Sequence, residues 1–271
     1  KEIEADSVCS FYLTPHDRKN LPPFEPGQFL TFDLPVPGQP KNVIRCYSLS
    51  DSPNHPDYYR VSIKRVPPPR DKPELPPGLS SNYFHDALAE GDILDVKAPS
   101  GHFYLDMSSH SPVVLIGGGV GLTPVLSMLN AIVEAGSQRE THFFYGIVNG
   151  KDHAFKEHLK LIALENQNVH LHVCYSNPAD DDVEGEDYQH AGREGVPLFK
   201  ELLESNNYEY FTLFSWVTDI TKPNRAEMID IYKKAGFKVM FEWHSYDGKR
   251  NCMIYLDHYI KDSIHKKFNK S

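Results

Sequence analysis

The sequence contains no closely spaced pair of cysteines. Its four, Cys9, Cys46, Cys174 and Cys252, form no CxxC motif, so the spacing supports neither an iron–sulfur cluster nor structural zinc and fits a reducing cytoplasm. None of the 14 histidines falls in an HExxH or HxxxH arrangement, which predicts surface or cofactor-edge roles and no metal. No apolar run is long enough to span a bilayer, and no secretory signal opens the chain. No P-loop is present to support phosphoryl transfer. Basic charge is also in short supply. There are 28 Lys and Arg against 37 Asp and Glu, a net charge of −9 that argues against nucleic acid as a partner. From Lys222 onward the balance reverses, with 11 basic and 6 acidic residues; this end reads as a solvated surface or as a docking patch for an acidic partner. The chain opens at Lys1 rather than methionine, in residues that look like the end of a strand, which predicts a module cut from a longer protein.

At 271 residues the chain exceeds the usual single-domain size, so two domains sharing a cleft are expected. Residues 1–107 read as short strands between turns: Ser10 to Leu13, Gln28 to Leu34, Tyr59 to Lys64 and Ile93 to Val96, with Pro22-Pro23, Pro26-Gly27 and Pro37-Gly38 as punctuation. Many short strands with proline-rich connections predict a closed antiparallel barrel. Val66 to Pro77 holds six prolines and predicts an extended surface loop. Ser81 to Ala89 predicts the barrel's single short helix.

Residues 108–244 change pattern. Val113 to Ile116 is a continuous apolar run, as a strand covered on both faces requires. It is followed by alternating segments: helix from Thr123, strand His142 to Ile147, helix Phe155 to Leu164, strand Val169 to Tyr175, helix Leu198 to Glu204, strand Tyr210 to Trp216, helix Arg225 to Ala235 and strand Phe237 to Trp243. This alternation predicts an α/β domain with a parallel sheet. Asn177 to Arg193 is acidic and turn-rich and predicts a loop. Residues 245–271 form an extension that matches no recognisable pattern.

Three segments have the parts of a cofactor site. In Arg45-Cys46-Tyr47-Ser48 the guanidinium can fork onto phosphate oxygens, the phenol can lie on a flat ring, and the hydroxyl can hydrogen-bond near flavin N5. In a strand Arg45 and Tyr47 share a face while Ser48 points the other way, so a twist or bulge is expected if all three meet one ligand. The same segment also reads as an ordinary strand with a surface arginine. Gly78-Leu79-Ser80-Ser81-Asn82 opens a helix and forms either a phosphate cradle or a plain cap by Ser80 or Ser81. Gly117-Gly118-Gly119-Val120-Gly121-Leu122-Thr123-Pro124 joins a buried strand to a helix, where backbone amides face the carboxyl edge of the sheet and suit a diphosphate. It departs from the GxGxxG fingerprint, since Thr123-Pro124 stands where a third glycine would be sought, and a turn kept for tight packing remains the alternative.

Together with Pro26-Gly27-Gln28-Phe29, Val61 to Arg65, Ser81 to Asp86, Ala98 to Phe103, Asn149-Gly150 and His153-Ala154-Phe155, these residues resemble the ferredoxin–NADP reductase superfamily, most closely the reductase half of flavohaemoglobins. The likeness runs from about Glu2 to about Tyr210. It implies an antiparallel Greek-key β barrel that binds FAD, followed by an α/β parallel-sheet domain that binds NADH or NADPH. Phe29, Arg45, Tyr47, Ser48, Ser62, Ile63, Lys64, Gly78, Ser80 and Ser81 would contact the flavin nucleotide, with Tyr47 and Ser48 nearest the reacting ring. Gly118, Gly119, Gly121, Leu122, Thr123 and Pro124 would bind the nicotinamide dinucleotide. FMN in place of FAD would need the same phosphate and ring contacts.

The resemblance implies an oxidoreductase that moves hydride from NAD(P)H to flavin and electrons onward to a haem, an iron–sulfur centre or another acceptor on a separate domain or protein. Ser176-Asn177 and Asp180 to Asp182 favour NADH, since a basic residue would be needed near the 2′-phosphate of NADPH. Relatives carry a Cys-Gly-Pro turn where this chain reads Tyr210 to Thr218, and no terminal aromatic over the flavin is evident unless Trp243 substitutes. A flavin-holding electron-transfer module without productive nicotinamide binding is therefore the second expectation.

Overall fold

The computed structural model describes residues 1–17, 19–69 and 72–192, together with the backbone of three later strands, Glu209–Leu213, Lys238–Tyr246 and Lys249–Asp257. The first domain is built from β1 (Glu2–Ala5), β2 (Val8–Leu13), β3 (Phe29–Leu34), β4 (Val43–Ser48), β5 (Tyr59–Lys64) and β6 (Asp95–Ser100). They form two antiparallel sheets, ordered β1-β2-β5 and β4-β3-β6, joined where Leu49 bridges to Val61. Strand β3 alternates strictly, with Leu30, Phe32 and Leu34 inward and buried, the period-2 pattern of a sheet with one core face.

Strand β5 is buried on both faces. Tyr59, Val61 and Ile63 fill the barrel, while Arg60 and Ser62 are buried polar groups on the other side. The barrel is plugged by α1 (Leu79–Asn82), which runs into a π-type turn at Tyr83–Ala87. Phe84 is fully buried there and makes edge contacts with Phe11, Phe32 and Tyr47 at 5.1–5.3 Å. The helix therefore starts two residues earlier than expected from sequence. The edge strand Asp95–Ser100 likewise begins two residues later than the Ile93 to Val96 run suggests.

The second domain holds β7 (Val113–Gly118), α2 (Leu122–Glu134), β8 (Thr141–Ile147), α3 (Lys156–Glu165), β9 (Val169–Tyr175), β10 (His190–Ala191), β11 (Glu209–Leu213), β12 (Lys238–Tyr246) and β13 (Lys249–Asp257). Its sheet runs β10-β9-β8-β7-β11-β13-β12, parallel from β10 to β11. Helices α2 and α3 pack on the face that carries Val113, Leu115, Phe143, Tyr145, Val169, Val173 and Tyr175. The opposite face carries Val114, Ile116, His142, Phe144, His170 and His172, each paired in register across the ladder.

At the far edge the strand expected at 237–243 forms as β12, but β13 lies between it and β11. Strand β12 does not continue the parallel sheet; it pairs antiparallel with β13, and β13 pairs antiparallel with β11. The extension from residue 245 thus contributes a strand to the sheet. The expected helices at 198–204 and 225–235 lie outside the described residues. Asn177 to Gly192 is turn-rich, as expected, with one short strand at its end. Among the described residues, no helix is long and apolar enough to cross a membrane.

Candidate functional site

Strand β4 pairs with β3 in unbroken register from Val43 to Ser48, so Tyr47 stands opposite Leu30 and Ser48 opposite Phe29. The expected bulge is absent from β4; the irregularity falls in the β3–β6 ladder between Phe29 and Thr31. Arg45, Tyr47 and Ser48 are all half-buried. The Tyr47 ring sits edge-on to Phe32 and Phe84, and its hydroxyl donates to Ser80 Oγ at 2.9 Å. Burial pushes its phenol up from the ordinary value, so it remains a protonated donor. One contact thus ties the Tyr47 strand to the start of α1.

No side chain caps α1. Ser81 Oγ instead donates back to the Gly78 carbonyl at 3.2 Å, and Asn82 Nδ2 donates to the carbonyls of Gly78 and Val66, both at 2.8 Å. The cap role expected of Ser80 or Ser81 is therefore not taken. Phe29 rests against Gly101, where a Cβ would come within 2.9 Å of its ring and where φ is +117°. Glycine is the residue that tolerates both demands.

Ser62, Ile63 and Lys64 lie on β5. The Ser62 hydroxyl is buried in a chain with Ser10 at 2.7 Å and Ser50 at 2.8 Å. Ile63 is core, and its carbonyl lies 2.9 Å from His85 Nε2. Lys64 Nζ reaches across to Asp152 of the second domain at 3.0 Å.

In the glycine turn, Gly117 lies beneath the start of α2, where an added Cβ would be 2.6 Å from Leu122 Cα. Gly118 is extended and Gly119 adopts φ +52°, and a Cβ on either would meet nothing within 4 Å. Thr123 Oγ1 donates to the Val120 carbonyl at 3.2 Å, and no side chain caps α2. The turn therefore offers an open backbone concavity at an uncapped helix start, the arrangement that accepts an anion. The turn also packs against β5, which adjoins β4 through the Leu49–Val61 bridge. The segments expected to hold two cofactors are thus neighbours through β5.

The two domains are also fastened by a cluster around Asp51, a residue that carried no sequence signal. Asp51, just past β4, is buried. Its carboxylate accepts from Asn130 Nδ2 at 2.8 Å and Tyr58 OH at 3.0 Å, and it pairs with Arg60 at 3.3 Å. Ser127 donates to its carbonyl at 2.6 Å, and His158 contacts Asn130 Oδ1 at 2.9 Å. Arg60 also lies over the Phe155 ring, 5.0 Å from its centroid. Phe155 holds φ +60°, the one non-glycine residue with positive φ among those described. A leucine-serine-aspartate-serine turn looks like a loop in sequence; only its buried aspartate, seen against a partner domain, reveals the latch.

His153 is buried, with Nδ1 2.7 Å from Tyr175 OH and no partner at Nε2. Burial, helped by Lys156 and Lys160, pushes its pKa down from 6.5 to about 4. The unfolded chain therefore binds a proton that the folded chain refuses, and stability falls as pH drops from 6.5 to about 4, with a limiting slope near 1.4 kcal/mol per pH unit. A His153→Gln variant should lose this share of the slope in urea unfolding across that window; an unchanged slope would refute the assignment.

The sequence itself supports this geometry. Residues 1–104 match the oxidoreductase FAD-binding domain family and residues 115–210 the oxidoreductase NAD-binding domain family. The chain belongs to the ferredoxin–NADP reductase superfamily. Its pairing of domains is that of an NAD(P)H-dependent flavin oxidoreductase of this superfamily. It is 39% identical over 211 residues to a flavohemoprotein of Bacillus cereus, covering 78% of this chain and 51% of that one. It is 43% identical over 185 residues to a flavohemoprotein of Rhodopirellula baltica, covering 68% of this chain and 44% of the relative. The chain thus spans about half the length of the flavohemoproteins it matches. Among solved structures, the flavohem-like FAD/NAD-binding domain of a nitric oxide dioxygenase from Vibrio cholerae superposes with a TM-score of 0.62 at 26% identity, over 77% of this chain and 93% of that domain. The flavohemoglobin of Malassezia yamatoensis, at 17% identity and a TM-score of 0.55 over 77% of this chain and 56% of that one, shares the fold.

Proposed function

We propose that this reductase module takes hydride from NADH onto FAD and hands electrons singly to a haem or iron–sulfur acceptor on another domain or protein. The observation that carries this reading is the packing of the glycine turn against β5, beside the Tyr47 strand. Arg45 and the start of α1 would hold the FAD diphosphate, while Tyr47 and Ser48 would flank the ring, with Phe29, Ser62, Ile63 and Lys64 on the neighbouring strands. Gly118, Gly119, Gly121, Leu122, Thr123 and Pro124 would seat the dinucleotide diphosphate. When bound, FAD supplies the two-electron to one-electron conversion. The residues contribute by position: they hold two flat rings in one cleft and exclude water from between them.

The preference for NADH rests on the loop after β9. Asp182 accepts from the Gly150 amide at 3.2 Å and the Ala179 amide at 2.7 Å, which fixes a negative charge at the carboxyl edge, and Asp180 and Asp181 are exposed beside it. A 2′-phosphate there would meet repulsion. Cys9, Cys46 and Cys174 form no disulfide among the described residues, which fits a reducing cytoplasm. The acceptor reading is supported by the flavohemoprotein relatives.

Absorbance of the purified chain, then anaerobic stopped-flow reduction, tests the proposal. A yellow protein bleached faster by NADH than by equal NADPH is expected. If NADH leaves the flavin oxidised while dithionite bleaches it, nicotinamide binding is unproductive and the electron-transfer module is the correct reading. That alternative is motivated by the missing Cys-Gly-Pro turn; of the segment Tyr210 to Thr218, residues 214–218 lie outside the described residues. Trp243 belongs to β12, of which only the backbone is described.

A further inference from the structure

We propose that Glu140, His142 and His170 form a binding site for a divalent transition-metal ion of the zinc type, at the amino-terminal edge of the sheet. Sequence spacing predicts no metal because HExxH and HxxxH are helical patterns. On strands the relevant period is two. Glu140 and His142 are two residues apart at the entry to β8, and His142 is the direct ladder partner of His170 on β9. Three side chains are thereby delivered to one face of the sheet by backbone pairing alone.

One ligand atom from each of the three lies within 4.8 Å of the others. His142 Nε2 is 3.3 Å from Glu140 Oε1, and the His142 and His170 rings are 4.7 Å apart at 32°. Zinc–nitrogen and zinc–oxygen bonds of about 2.0–2.2 Å place tetrahedral ligand atoms roughly 3.4 Å apart. The site therefore closes by small side-chain rotations. Glu140 and His170 are exposed enough to make them, whereas His142 is buried and fixed. Exposure on that side also leaves room for water in a fourth position. Two imidazoles and one carboxylate suit zinc, copper or nickel rather than calcium or magnesium, which take oxygen shells.

The surrounding groups fit the same role. His142 Nδ1 lies 3.1 Å from His172 Nε2, the contact by which a ligating imidazole is held in orientation through its second nitrogen. His172 is itself stacked between Phe144, at 4.4 Å, and His190, at 6.1 Å. The site sits at the strand entries, whereas the glycine turn follows the carboxyl end of β7. Bound metal would cross-link β8 to β9 without entering the cofactor cleft, so its effect would be on the stability of the sheet.

The test is zinc titration of the flavin-loaded chain against a chromophoric chelator, paired with thermal melting. Wild type should take up one tight equivalent and melt at a higher temperature with zinc. In His170→Ala, an exposed substitution that should leave the flavin absorbance intact, that equivalent should weaken by about 100-fold and the zinc-induced shift should vanish. Replacing the orienting group, as in His172→Phe, should weaken it by about 10–100-fold. A tight equivalent that persists in His170→Ala, or wild type without one, overturns the proposal.

Discussion

Asp51→Ala is expected to destabilise the folded chain by about 3–5 kcal/mol, the cost of leaving a buried guanidinium without its counter-charge. Arg60 is 8% exposed, and without Asp51 the hydrogen-bond acceptors left to it are uncharged, among them the Ser50 hydroxyl at 3.2 Å, the Ser50 carbonyl at 2.6 Å and the Tyr12 hydroxyl. The same substitution removes the acceptor of Asn130 and Tyr58. Asp51→Asn keeps an oxygen for these donors and removes only the charge, so it should cost less. Urea unfolding of the three proteins at constant pH measures the difference. A loss below 1 kcal/mol for Asp51→Ala would mean that the inter-domain latch contributes no more than an exposed ion pair. Because Asn130 and Ser127 lie on α2, which begins at the glycine turn, the latch also sets where that turn stands relative to β5.

The second large effect separates two neighbouring glycines. Gly118→Val should raise KM for NADH by about tenfold or more, equivalent to about 1.4 kcal/mol, with little change in melting temperature. Valine is at ease at φ −119°, ψ 123°, and its Cβ meets nothing within 4 Å; under the proposed function it would fill the space that an approaching diphosphate needs. Gly117→Ala should do the reverse first. Its Cβ would press on Leu122 backbone at 2.6 Å, which displaces the start of α2 and costs about 1–3 kcal/mol. Steady-state kinetics beside melting curves distinguish the two. If Gly118→Val leaves KM unchanged, the turn is a packing device and the dinucleotide binds elsewhere.

Much of this architecture was legible because it is local. Alternation in Phe29–Leu34 and the apolar run at Val113 announce a one-sided and a two-sided strand, and the glycines after Gly117 announce the turn between β7 and α2. The resemblance added cofactors to segments whose side chains alone left a plain strand or a plain cap open. The remainder depends on partners distant in sequence. Asp51 and Arg60 look like surface residues until α2 covers them. Glu140, His142 and His170 look scattered until ladder register aligns them. The antiparallel hairpin of β12 and β13 escaped notice because a strand's direction is set by its neighbour and leaves no trace in its own composition. Ser62, proposed beside the flavin, also has its hydroxyl in the Ser10–Ser50 chain, a contact made by residues distant in sequence.

Val8 and Leu105 belong to the barrel by chain position, yet both are buried in the core cluster of the second domain. A cut placed where the sequence pattern changes would therefore strip each fragment of side chains that the other has adopted. The halves of this molecule are better regarded as grown together than as beads on a string, and a swap of one half for a homologue's would have to carry those two graft points with it.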